Sequence, residues 1–229
     1  MVENVEPYLA PTWFVNSDAP EIVELAREVV GTETDEIERA RRLFYAVRDG
    51  IRYTAYNLKL ERDAFRATGV LASGESWCVP KSVLLAALCR AAGIPCRLGY
   101  ADVCNHMATK KLLDFLGTNV FYYHGFNEIN LGGKWVKATV AFNRTLCEKG
   151  RLGTLEFDGV HDSIYHPYDL AGHRYMEYLR EYEPAAEVPY DTIIAKFREV
   201  YPNMRPIEQG GTALPGDFEA EIEAEAAGF

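Results

Sequence analysis

Apolar residues recur at helical spacing in two early stretches of the chain. Asp18-Ala19-Pro20-Glu21 opens the first, with Asp18 or Ala19 near the N-cap and acid in the first turn; it runs to Val30 and stops at Gly31. Thr34-Asp35-Glu36-Ile37 opens the second, where Ile37, Ala40, Leu43, Phe44 and Val47 fall on one face. Residues 1–18 read as an extended arm whose Tyr8, Trp13 and Phe14 pack on the body. Ile51-Arg52-Tyr53-Thr54 is a short strand or turn, and the mixed, Gly-containing residues 57–76 read as a loop. From Cys78 to Ala92 almost every position is apolar, a pattern that only a helix buried all round tolerates. Pro80 suits its first turn, where a missing N–H costs nothing, and Gly93-Ile94-Pro95 ends it.

Beyond that helix, residues 95–103 alternate enough for a strand and 108–116 make a short helix. Two runs, 119–131 and 134–142, flank Gly132-Gly133 and predict a β-hairpin. Residues 143–185 are rich in Pro, Gly and Asp and read as irregular, with a helix at 172–181; a last helix spans 190–200 and stops before Pro202. From 206 onward, Gly and Pro give way to Glu/Ala repeats, a tail that is disordered or helical only when docked. The expected fold is α+β: N-terminal helices and a buried central helix packed on an antiparallel sheet. Residues 1–205 form one domain with its core at about 40–145, and 206–229 are an acidic, flexible tail.

Composition narrows the function. With 229 residues, 48% of them hydrophobic, the chain builds one substantial core. A net charge of −10 argues against nucleic acid, whose phosphates require clustered Lys and Arg. No apolar run approaches the roughly 20 residues of a membrane span, and the acidic start lacks the apolar core of a secretory signal. Five cysteines, an odd number in a chain this large, fit reduced thiols in a cytoplasm.

Cys78 stands where loop becomes helix, at the positive end of a buried helix dipole, which favours a thiolate. The competing reading is an inert buried thiol. A thiolate nucleophile needs a base, and the histidines are His106, His124, His161, His166 and His173. His124 lies in the first hairpin strand, where alternation sets Tyr122, His124, Phe126 and Glu128 against Tyr123, Gly125 and Ile129. A histidine held on a rigid strand between aromatics is oriented and partly dehydrated, as a base requires; the competing reading is a core histidine bonded to a carbonyl. Trp77 is a cleft wall or simply core. Cys89, Cys96, Cys104 and His106 match no zinc spacing, so no metal site and no cofactor is expected. Glu156-Phe157-Asp158-Gly159 with Asp162 lacks the pattern of a calcium loop and reads as a turn; His161, His166 and His173 are solvated or line the cleft.

Gly74-x-x-x-Cys78, followed by a helix ending Ala91-Ala92-Gly93-Ile94-Pro95-Cys96-Arg97-Leu98-Gly99-Tyr100, resembles the cysteine segment of the transglutaminase-like superfamily. His124-Gly125-Phe126-Asn127-Glu128 and Gly133-Lys134-Trp135-Val136 resemble its next block, with Phe126 where tryptophan is usual. The resemblance implies a papain-like core and a Cys78–His124 pair performing acyl transfer on an amide or peptide carbonyl through a thioester. It implies a protease or amidase of the bacterial type rather than a crosslinking enzyme, acting on a peptide, protein or small amide. The family's orienting Asp falls at Thr139, which the hairpin register sets opposite Phe126 and diagonal to His124. Thr139 brings no charge; Asn143, in the manner of the papain group, or Asp158 or Asp162 from a later loop are the alternatives. The missing acid also suits a rival reading, an inactive relative serving as an interaction module.

Overall fold

Two amphipathic helices, α1 (Pro20–Val30) and α2 (Glu36–Gly50), open the fold in a computed structural model that describes residues 4–165, 168, 174–204, 207 and 214–227. Asp35 caps α2 by accepting the Glu38 N–H at 2.8 Å, and Ala40, Leu43, Phe44 and Val47 form its buried stripe. The two-residue strands β1 (Arg52–Tyr53) and β2 (Glu75–Ser76) then pair in parallel. Between them the segment expected as loop contains two short helices, α3 (Arg62–Phe65) and α4 (Ala67–Ser73). Their burial rests on Phe65, Ala67 and Val70, too few apolar positions to display a period. Tertiary packing, not propensity, makes them helical.

The central helix α5 (Cys78–Ala91) is buried at every position from Cys78 to Arg90. It packs on β3 (Cys96–Asn105) and β4 (Val120–Leu131), with α1, α2 and α4 around its other sides. Between those strands lies α6 (Lys110–Leu116), capped by Thr109. β4 turns at Gly132-Gly133 into β5 (Lys134–Ala138) in the expected register, Leu131 opposite Lys134 and Asn127 opposite Ala138. The second hairpin strand ends at Ala138, short of 142, because the Thr139 N–H leaves β4 and donates to the Ser163 carbonyl at 2.9 Å.

After α7 (Arg144–Lys149) comes β6 (Met176–Glu181), a strand where a helix was expected at 172–181; residues 172 and 173 lie outside the described ones. The unpaired edge of β3 offers its backbone there, and pairing overrides local preference. The sheet order is β5-β4-β3-β6, antiparallel throughout. α8 (Tyr190–Val200) continues into a 3-10 turn at Pro202–Met204, and α9 (Phe218–Ala226) ends the described chain. α9 is docked: Phe218 packs on Tyr53 and Tyr56, and Asp217 and Glu219 pair with Arg52. Lys111 and Lys149 take Glu221 and Glu223, so the acids of this segment meet bases of the body. No helix among the described residues is long and apolar enough to cross a membrane.

Two cations buried on α5 tie this architecture together. Arg90 donates to the carbonyls of Cys96, Ala10 and Ala186, holding the N-terminal arm and the connection after β6. Lys81, with no exposed surface, donates to the Arg48 carbonyl at 3.0 Å and to that of Ile51, closing the end of α2. Burial lowers its ammonium from 10.5 to about 7. Between those two values the unfolded chain holds a proton that the fold does not, so stability rises with pH across this window and the full penalty lies below it. Lys81→Met removes the titration. Its stability deficit relative to wild type should therefore widen by about 2 kcal/mol between pH 7.5 and 9.5, read by denaturant unfolding at both values; a constant deficit would mean that the buried amine stays charged.

Candidate active site

Cys78 takes its place because β2 delivers the chain to the first turn of α5, with the Thr54 N–H donating to Ser76 at 2.9 Å. Trp77 just before it is wedged between Phe65 and Phe197, at ring distances of 5.4 and 5.9 Å. The Cys78 sulfur faces the backbone N–H groups of Gly125, Val79 and Cys78 itself, all of which favour the thiolate. Burial outweighs them and pushes the thiol up to about 11. This direction is opposite to the one the helix dipole favours.

His124 reaches this neighbourhood through an approach that the next residue permits. A Cβ on Gly125 would lie 2.8 Å from the Val79 Cα and 3.2 Å from the Cys78 carbonyl oxygen, so β4 lies directly on the first turn of α5. Two residues on, the Asn127 amide donates to the Ser82 carbonyl at 2.8 Å, tying strand to helix a second time. On the other side of His124 the ladder slips: Ala101 pairs with His124 but Val103 pairs with Phe121, and Tyr123 in the bulge has φ of 56°. The buried Asp102 carboxylate accepts the Tyr123 N–H at 3.2 Å and the Tyr182 hydroxyl at 2.9 Å, while the Tyr182 ring stacks on Tyr123 at 4.3 Å. The alternation expected along this strand therefore holds from His124 onward but is reset at Tyr123.

Cys78, His124 and Trp77 line one small, partly open cleft with about 50 Å³ of space for water-sized groups. Its other walls are apolar or aromatic, among them Leu58, Leu112, Phe121, Phe197 and Met204. Burial lowers the imidazole to about 4 while it raises the thiol, so both shifts favour the neutral forms. The His124 Nε2 is buried and has no hydrogen-bond partner among the described residues. Thr139, also buried, leaves its hydroxyl equally unpartnered.

The other orienting candidates are committed elsewhere. Asn143 accepts the Tyr53 N–H at 2.9 Å and donates to Thr145. Asp158 holds the exposed His161 at 2.7 Å, and Asp162 accepts the Lys137 N–H at 2.9 Å. Phe126 is buried over Gly99 in a core cluster with Val103 and Tyr165 rather than in the cleft. All five cysteines are unpaired thiols, with Cys89 beside Cys96 in the core. His106 stands 3.6 Å from Glu177, and His166 and His173 lie outside the described residues. Sequence reasoning missed Gly125, Asn127 and Asp102; the glycine following His124 was the available signal.

The model of the transglutaminase-like superfamily matches residues 23–140, and the chain belongs to that superfamily. No curated protein matches it. Among solved structures it is similar to one described as a "Putative Cysteine Protease" from Cytophaga hutchinsonii, at 20% identity and a TM-score of 0.46 over 59% of this chain and 41% of the other. A second, described as a "Putative Protease" from Parabacteroides distasonis, is 13% identical with a TM-score of 0.38 over 58% of this chain and 25% of that one. The chain thus spans well under half the length of either.

Gly125→Ala should force β4 off α5, costing about 1–3 kcal/mol of stability and separating His124 from Cys78. Gly50→Ala, which meets nothing within 4 Å, is the control. Thermal melts with Cys78 alkylation at pH 7 should show both losses in Gly125→Ala alone; a normal melt and normal alkylation there would refute the close approach.

Proposed function

We propose that the protein is a cysteine-dependent acyl-transfer enzyme that hydrolyses an amide or peptide bond. The observation that supports this reading is the contact of Gly125 with the first turn of α5, together with a cleft that both Cys78 and His124 line. As the Cys78 sulfur attacks the carbonyl carbon, neutral His124 takes the thiol proton. The carbonyl oxygen gains negative charge near the backbone N–H groups at the start of α5. The imidazolium then protonates the leaving nitrogen, the C–N bond breaks, and a thioester remains. Water, deprotonated by the same imidazole, resolves the thioester to the acid and returns the proton to the thiol.

The apolar walls favour hydrolysis over crosslinking. No carboxylate lines the cleft among the described residues to receive a lysine ammonium, so an amine acceptor would enter desolvated and unpaired. A peptide or small amide with an apolar group beside the reacting carbonyl fits these walls. The rival reading, an inactive interaction module on the same fold, draws on the absence among the described residues of any charge that supports His124.

Alkylation of Cys78 by iodoacetamide across pH 5–11 decides between them. Wild type should keep a rate at pH 7 that His124→Gln loses by about a hundredfold or more, the lower end of a general base's contribution. The two should converge near the thiol's own value of about 11. Identical profiles in both proteins would leave the interaction-module reading standing.

A further inference from the structure

Among the buried polar atoms without partners among the described residues are His124 Nε2, the Thr139 hydroxyl and the Tyr178 hydroxyl. Such atoms are costly to leave bare. Tyr178 stands on β6 opposite Val103, and its phenol reaches over the sheet toward Thr139, close enough for the two hydroxyls to interact but short of hydrogen-bond geometry. The same phenol lies against the backbone of Tyr165, whose ring centroid is 5.8 Å from that of His124. The charged or titratable groups that Tyr178 senses are Cys78 and Glu181; among the described residues no carboxylate acts on His124.

We propose that Tyr178 is a positioning residue for His124, acting through Thr139 in place of a carboxylate. This rests on His124 being the base. The Nε2–H donates to the Thr139 oxygen, and the Thr139 O–H donates to the Tyr178 oxygen, directly or through one bound water. Holding the proton on Nε2 leaves Nδ1 bare to take the thiol proton. Two hydroxyl dipoles stabilise the imidazolium less than a full charge, so the pair supports a weaker base than an acid would. Neither hydroxyl touches the reacting atoms. Tyr178 enters from a strand outside residues 23–140, the part of the chain that matches the superfamily.

The test is the same alkylation profile in Tyr178→Phe, Thr139→Val, Tyr178→Phe/Thr139→Asp and His124→Gln, with melting curves for each. Tyr178→Phe should melt like wild type, lose roughly tenfold of the His124-dependent rate at pH 7, and shift the acidic limb of its profile to lower pH. Thr139→Val should do the same. Thr139→Asp should restore the rate in the Tyr178→Phe background, because a carboxylate at 139 needs no tyrosine behind it. A Tyr178→Phe profile identical to wild type, while His124→Gln still loses its rate, overturns the role of Tyr178 and leaves the enzyme reading intact. If His124→Gln matches wild type, the enzyme reading itself fails and this inference falls with it.

Discussion

A missing side chain governs the geometry of this molecule. Because Gly125 has no Cβ, the backbone of β4 rests against Cys78 and Val79, and His124 and Cys78 come to line the same cleft. A strand and a helix normally stand off by the width of their side chains, so a contact of backbone on backbone has to be held in place. Asn127 holds it on one side through the Ser82 carbonyl, and the bulge pinned by Asp102 and Tyr182 holds it on the other. The unusual φ of Tyr123 is maintained by those partners, in a strand otherwise extended.

That same closeness decides the electrostatics. A helix N-terminus stabilises an anion by about 0.3–2 kcal/mol, depending on exposure. Removing water from a thiolate costs more, and three backbone N–H groups recover only part of it. The imidazole suffers a matching penalty, with no charged neighbour among the described residues to relieve it. Both shifts favour the neutral forms, so on the proposed reading proton transfer coincides with attack rather than precedes it. On that reading, whatever steadies the far nitrogen of His124 bears directly on how good a base it is.

Much of this could be read from the chain itself. The mostly apolar run after Trp77 fixed the buried helix, Gly132-Gly133 fixed the hairpin and its register, and the Cys78 and His124 motifs identified the superfamily that residues 23–140 match. What escaped was whatever depends on a distant partner. The helices α3 and α4 are too short to show a period, and β6 is a strand only because the edge of β3 is there to pair with it. Asn143 carried the right chemistry for orienting a histidine, yet its amide is spent on Tyr53 and Thr145. The acidic residues near the C-terminus suggested a solvated tail because their bases, Arg52, Lys111 and Lys149, lie far away in sequence.

The second half of the chain does more than extend the core. Phe197, Tyr201 and Met204 form one wall of the Cys78 cleft, and none of them belongs to the part that matches the superfamily. Their position is fixed by polar contacts, not by apolar packing alone. The Tyr201 hydroxyl accepts the Tyr122 N–H at 2.8 Å and donates to the Val120 carbonyl at 3.1 Å, and the Asn203 amide donates to Phe115 at 2.8 Å. These bonds anchor the wall to the start of β4 and the end of α6, on the same strand that carries His124. The residues that shape the cleft and those that aim its histidine thus share one scaffold, β4.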